Sequence, residues 1–172
     1  MTSILKVSEI QDPTNSNTAI SIDAAGKVTA PNLVMPAGSV VQVVNTSSST
    51  KEEINGTTMT EITSLATSIT PKLTGSHILC TVNVMSGNNN SSGIWYQARL
   101  YRDSTSNPVG PISRWYDERQ YDSIGPKPLF NIIDTTDTTA GVARTYRVYI
   151  AAQDNASGQI RVNWDEGDSQ SS

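Results

Sequence analysis

Covalent or acid–base chemistry needs a reactive group, a base within reach and a third group to orient that base. This chain supplies few such groups. It has one histidine, His77, and one cysteine, Cys80, among 172 residues. They lie three positions apart in the alternating stretch "SHILCTVNVMSG" (76–87), so their side chains point to opposite faces and form no dyad. Cys80 shares a face with Ile78, Val82 and Val84 and reads as a small buried hydrophobe. His77 follows a turn and reads as a solvated or hydrogen-bonded structural residue. A lone cysteine also excludes an internal disulfide and a cysteine-rich zinc site. Two acids at a fixed separation can cleave a glycosidic bond, and the candidates are Asp117 with Glu118, Asp134 with Asp137, and Asp165 with Glu166. Each pair lies in or beside a loop, where solvated turn aspartates are expected, and nothing in the sequence brings two distant acids together. Asp134-Thr-Thr-Asp137 is too sparse in ligands for a calcium loop, and no glycine-rich loop is built to cradle phosphate. The expectation is a chain that is not an enzyme, with no catalytic residues, no metal site and no cofactor.

What remains is a contact surface. In "RWYDERQYD" (114–122), Trp115, Tyr116 and Tyr121 offer flat apolar faces, while Arg114 and Arg119 offer directional hydrogen bonds beside Asp117, Glu118 and Asp122. Aromatic residues and arginine are enriched at protein interfaces, and the same mixture suits a sugar held by ring stacking and polar contacts. Three readings stand open: packing against the chain's own fold or another subunit, contact with a partner protein, and receptor or glycan binding. The pairs Trp95/Tyr96 and Tyr146/Tyr149 alternate along strands and are assigned to packing.

Strands must position these residues. Hydrophobic content is 36% and charged content 16%, and the balance is largely Ser, Thr, Asn and Gly, which disfavours helix and suits strands with solvated turns. Strands are expected at Ser3–Ile10, in the hairpin "AISIDAAGKVTAPN" (19–32) turning at Ala25-Gly26, and in "SVVQVVN" (39–45) as a buried strand. Two short strands are expected within "TTMTEITSLATSITPKL" (57–73), and single strands at 76–87, "IWYQARLYR" (94–102), "LFNII" (129–133), "TYRVYIAA" (145–152) and "GQIRVNWDE" (158–166). "ISRWYDERQYDSIGPKP" (112–128) reads as a long connection. Strands recurring every 8–12 residues or so indicate an all-β fold, an antiparallel sandwich or barrel. The prolines of "APNLVMPAG" (30–38) mark a boundary, giving an N-terminal arm over 1–35 and a β-sandwich over 36–172.

A two-stranded hairpin is not stable alone in water. Leu5, Val7, Ile10, Ile20, Ile22 and Val28 are therefore the residues expected to be covered, by other polypeptides or by the chain's own sandwich. A net charge of −4 gives no electrostatic footprint for nucleic acid, and no apolar run approaches the length of a membrane span. The opening "MTSILKVSEIQD" lacks the basic region and apolar core of a secretory signal.

Two segments carry a resemblance. "SILKVSEIQDPTNSNTAISIDAAGKVTAP" resembles the module that opens many fibre and appendage proteins of tailed bacteriophages, particularly those infecting marine cyanobacteria. The matching positions are Leu5-Lys6-Val7, Ile10-Gln11, Ile20, Ile22-Asp23 and Gly26-Lys27-Val28, with Ser8 where that module has aspartate. "SITPKLTGSHILCTVNV" (68–84), "ARLYRDSTSNPVG" (98–110) and "IIDTTDTTAGVARTYRVYIAA" (132–152) look like the compact β domain that follows it. The resemblance implies a virion structural protein with a jelly-roll-like sandwich, a homotrimer made in the host cytoplasm. Its partners would be its own copies, other virion proteins of the tail or capsid, and a glycan or protein of the host surface. A short fibre or adhesin is the leading reading, and a capsid decoration or head-fibre protein the alternative. A glycan depolymerase is disfavoured, because such fibres tend to be long repetitive β-helices and this chain has no repeat. In a trimer, His77 could meet its own copies on an axis and bind a metal, but a structural histidine is the expectation.

Overall fold

The computed structural model describes residues 7–11, 18–29, 36, 38–88, 93–117, 125–136, 138–153 and 158–164. Among them every regular element is a strand except one 3-10 turn at Thr63–Leu65. The chain divides into two compact units, Met1–Val41 and Gln42–Ser172.

The first unit is a three-stranded antiparallel sheet of β1 (Glu9–Gln11), β2 (Thr18–Ile22) and β3 (Val28–Thr29), in that order. Beside the expected hairpin stands the strand expected over Ser3–Ile10, present among the described residues as Glu9–Gln11; Ser3, Ile4, Leu5 and Lys6 lie outside them. Asp23 sets the turn: its Oδ1 accepts hydrogen bonds from the backbone N–H groups of Ala25 and Lys27, both at 2.9 Å. Gly26 takes φ +81, a conformation costly for other residues.

The second unit contains β4 (Glu52–Asn55), β5 (Thr60–Glu61), β6 (Thr67–Ile69), β7 (Ile78–Asn88), β8 (Ile94–Arg102), β9 (Pro108–Asp117), β10 (Gly125–Asp134), β11 (Arg144–Ala152) and β12 (Gln159–Val162). One sheet runs β10-β7-β12-β4, and the other runs β5-β11-β8-β9 with β6 also on β11. The pairing is nested: β4 with β12, β5 and β6 with β11, β7 with β10, β8 with β9. This unit is one long antiparallel hairpin, its tip at β8–β9, folded over into two sheets. That is the jelly-roll arrangement. Alternation fills its interior: Ile78 and Val84 on β7, Ile94, Tyr96, Ala98 and Leu100 on β8, Tyr146, Val148 and Ile150 on β11, Ile160 and Val162 on β12 all belong to one core.

Three expectations need correction. Residues 39–45 form no strand: Val40 and Val43 are 77% and 81% exposed, and no strand among the described residues pairs with them. The stretch 112–128 is not one long connection. Its first part belongs to β9 and its last to β10, and residues 118–124 lie outside the described residues. Prolines 108 and 111 on β9, and 126 and 128 on β10, hid these strands. Both are sheet edges, where half the backbone N–H groups need no partner and proline is tolerated. A bulge opposite Ala98 and Leu100 further breaks the alternation of β9. Gly110 there has φ +70, and a Cβ on it would lie 2.7 Å from Ile132 Cδ1. Third, Asp134 is no solvated turn residue but a buried one at the end of β10. The two short strands expected within 57–73 are present as β5 and β6, separated by the 3-10 turn.

Candidate functional site

Register decides which side chains meet. In the N-terminal sheet Ile10 stands opposite Ile20 and Ile22 opposite Val28, so all four lie on one face, while Glu9, Ser21 and Thr29 take the other. The apolar face is open: Ile10 is 48% and Val28 60% exposed. Val7 is exposed too and precedes the strand.

The outer face of the five-stranded sheet is the second candidate. Along β8, Ile94, Tyr96, Ala98 and Leu100 point inward, which turns Trp95, Gln97, Arg99 and Tyr101 outward. Cross-strand partners extend each row: Tyr116 beside Trp95, Arg114 beside Gln97, Tyr149 beside Arg99, Arg147 beside Tyr101. The Trp95 and Tyr116 rings sit 5.2 Å apart, tilted by 40°, and both are nearly half exposed. Tyr101 and Tyr149 meet edge to face at 4.9 Å. The Tyr149 hydroxyl donates to Glu61 at 3.1 Å, and Arg147 pairs with the same carboxylate. Burial, then the Glu61 carboxylate, pushes the Tyr149 phenol above its ordinary range.

The candidate residues of 114–122 therefore separate. Arg114 and Tyr116 lie on the outer face, whereas Trp115 turns inward, its ring 5.4 Å from that of Tyr96 and tilted by 32°, against the core. Arg119 and Tyr121 lie outside the described residues. The sequence pattern places Trp95 in packing and singles out none of Gln97, Arg99 or Tyr101. The signal was the alternation of 94–102, whose second face proves as organised as its first.

Polar groups inside the sandwich bind its layers. Arg102 Nη1 donates to both oxygens of Asp134, at 2.9 and 2.7 Å, and the Tyr146 hydroxyl donates to Oδ2 at 2.8 Å. Asp134 belongs to one sheet and its two partners to the other. Burial pushes the Asp134 carboxyl up, but donors from Thr136, Arg102 and Tyr146 outweigh it, so its pKa stays below the ordinary value. Tyr146 is pushed up by burial and by its bond to Asp134. The Cys80 thiol is pushed up to about 11, chiefly by burial and then by Asp134, which keeps it protonated at neutral pH. His77 is exposed. Asp117 is buried with Lys127 Nζ 3.6 Å away, and Glu118, Asp137, Asp165 and Glu166 fall outside the described residues. Among the described residues no three His, Cys, Asp or Glu side chains gather to hold a metal ion. No family model and no curated protein matches the chain.

Proposed function

We propose that this chain is a structural protein of a tailed-bacteriophage virion, a short homotrimeric fibre whose jelly roll projects from the particle towards the host surface. The observation that carries the reading is the division of labour between the two units. The jelly roll has its own core, while Ile10, Ile20, Ile22 and Val28 line one face of a small sheet that has no second layer of its own. A two-layered core is self-sufficient, and a three-stranded sheet with one bare apolar face is completed by other polypeptides. The likeness of residues 3–31 to the opening module of phage fibres supports further copies of the chain and a receiving virion protein as those polypeptides.

Cryo-electron microscopy of the particle with a tag on the chain, together with the solution mass of the full chain and of a chain lacking residues 1–35, tests the proposal. A trimer that falls to monomer on truncation, with density on a fibre, is the expected result. A monomeric full chain overturns the trimer, and density over the whole capsid lattice replaces the fibre with a decoration protein.

A further inference from the structure

Six arginines lie among the described residues, and four of them reach a carboxylate: Arg102 with Asp134 at 2.7 Å, Arg144 with Asp103 at 3.1 Å, Arg147 with Glu61 at 3.2 Å and Arg161 with Glu53 at 3.7 Å. The two that do not, Arg99 and Arg114, both stand on the outer face of the five-stranded sheet. Arg114 is exposed. Arg99 lies over the Tyr101 ring at 5.8 Å, and its Nε is buried with no acceptor. Among the described residues this face sets Arg99, Arg114 and Arg147 against the single acid Glu61, in a chain whose net charge is −4. Its electrostatics oppose those of the chain as a whole.

From this we infer that the outer face of the five-stranded sheet binds an acidic polysaccharide, a sugar chain carrying carboxylates such as uronic acids. The inference deepens the host-contact part of the proposed function and rests on that reading only for where the ligand comes from. The order of rows along β8 argues for a sugar over a protein. Trp95 with Tyr116 forms an apolar row, Gln97 with Arg114 a hydrogen-bonding row, Arg99 with Tyr149 a mixed one, and Tyr101 an aromatic end. Successive rows are two residues apart, about 7 Å by the rise of a strand, and the whole stripe spans about 20 Å. A protein partner is anchored by a continuous apolar centre, and here polar side chains split the rings into two groups. A polysaccharide alternates in the same manner. The C–H faces of its rings pack on aromatic faces, its hydroxyls meet Gln97, and its carboxylates meet guanidinium groups with matching paired geometry.

The test is direct binding of the purified full chain to polygalacturonate by calorimetry, with dextran as the uncharged sugar and polyglutamate as the acid without sugar rings. Polygalacturonate should bind at least roughly tenfold more tightly than either control, a difference of about 1.4 kcal/mol, and binding should weaken with salt. Arg114→Gln and Trp95→Ala should each lose roughly tenfold, whereas Lys51→Glu, beside the other sheet, should lose much less. Both Trp95 and Arg114 are exposed, and an unchanged melting curve confirms that their variants fold. Absence of polygalacturonate binding, equal binding to polyglutamate, or indifference to both substitutions overturns the inference. A trimer found on the fibre alongside any of these results leaves the proposed function standing and removes only the ligand.

Discussion

The N-terminal sheet and the jelly roll draw on the same residues, isoleucine and valine alternating with serine and threonine, yet they place them differently. In the jelly roll the apolar half of each alternation meets a facing sheet, and Ile62, Ile150, Ile160 and Val162 are wholly enclosed. In the N-terminal sheet the same half meets nothing of its own sheet, and Ile22 and Val28 stay 36% and 60% exposed. Alternation dictates a strand and a face. What covers that face depends on whether the chain has a second layer to offer. One region has two layers around a core, and the other has a single layer.

The contrast is broken most severely from the side of the jelly roll. Leu100→Ala removes a fully enclosed side chain from the middle of β8 and leaves a cavity, so it should cost about 3 kcal/mol in urea denaturation. Ile22→Ser, an equally drastic change in polarity, should leave that unfolding midpoint within about 0.5 kcal/mol of the parent and act on solution mass instead. Comparable losses of stability from both would mean that the two regions unfold as one body, and the contrast would fail.

The next effect lies in the clasp between the sheets. Asp134→Asn keeps the shape but removes the charge, leaving Arg102, only 16% exposed, without its anion. Stranding a largely buried charge costs about 2–3 kcal/mol, less than for a fully enclosed pair. The sign of the pH dependence follows from the depressed Asp134 pKa. The unfolded carboxyl takes up its proton near about 3.9, the folded one at lower pH. The clasp is therefore at full strength above the unfolded value and is lost as pH falls through the folded one. Stability of the parent measured from pH 6 down to pH 2.5 or so should fall more steeply than that of Asp134→Asn. Parallel curves would show that Asp134 has no part in holding the sheets.

The strands with clean alternation were legible in the sequence, and so were the two faces of β7 and β8. Ile78, Cys80, Val82 and Val84 share the inner face, as the spacing requires. Edge strands were not legible, because an edge relaxes the rules by which strands are recognised. β9 and β10 carry prolines, a bulge and charges that a central strand would reject. The candidate surface was half legible for the same reason. Arg114 and Tyr116 were visible as residue types, but only the register between β8 and β9 shows that they share a face with Trp95 and Gln97 while Trp115 does not. Likewise, Asp134 sits beside a turn in sequence, and its partner Arg102 is 32 positions away.

The smallest effect is also the sharpest test of where the jelly roll begins. The run "SVVQVVN" has the composition of a core strand, and in a core Val→Ser at position 40 or 43 would cost about 2 kcal/mol from lost burial alone. In the structure both side chains are largely in solvent, and the run pairs with no strand among the described residues. Val40→Ser and Val43→Ser, together in one chain, should then shift the urea midpoint by no more than about 0.5 kcal/mol. They should also raise solubility, since four valines in an uncharged run with high β-propensity invite pairing between molecules. A loss above about 2 kcal/mol from the double variant would restore the segment to a buried strand. It would also move the border between the two bodies back towards the prolines at 31 and 36, where the sequence first suggested it.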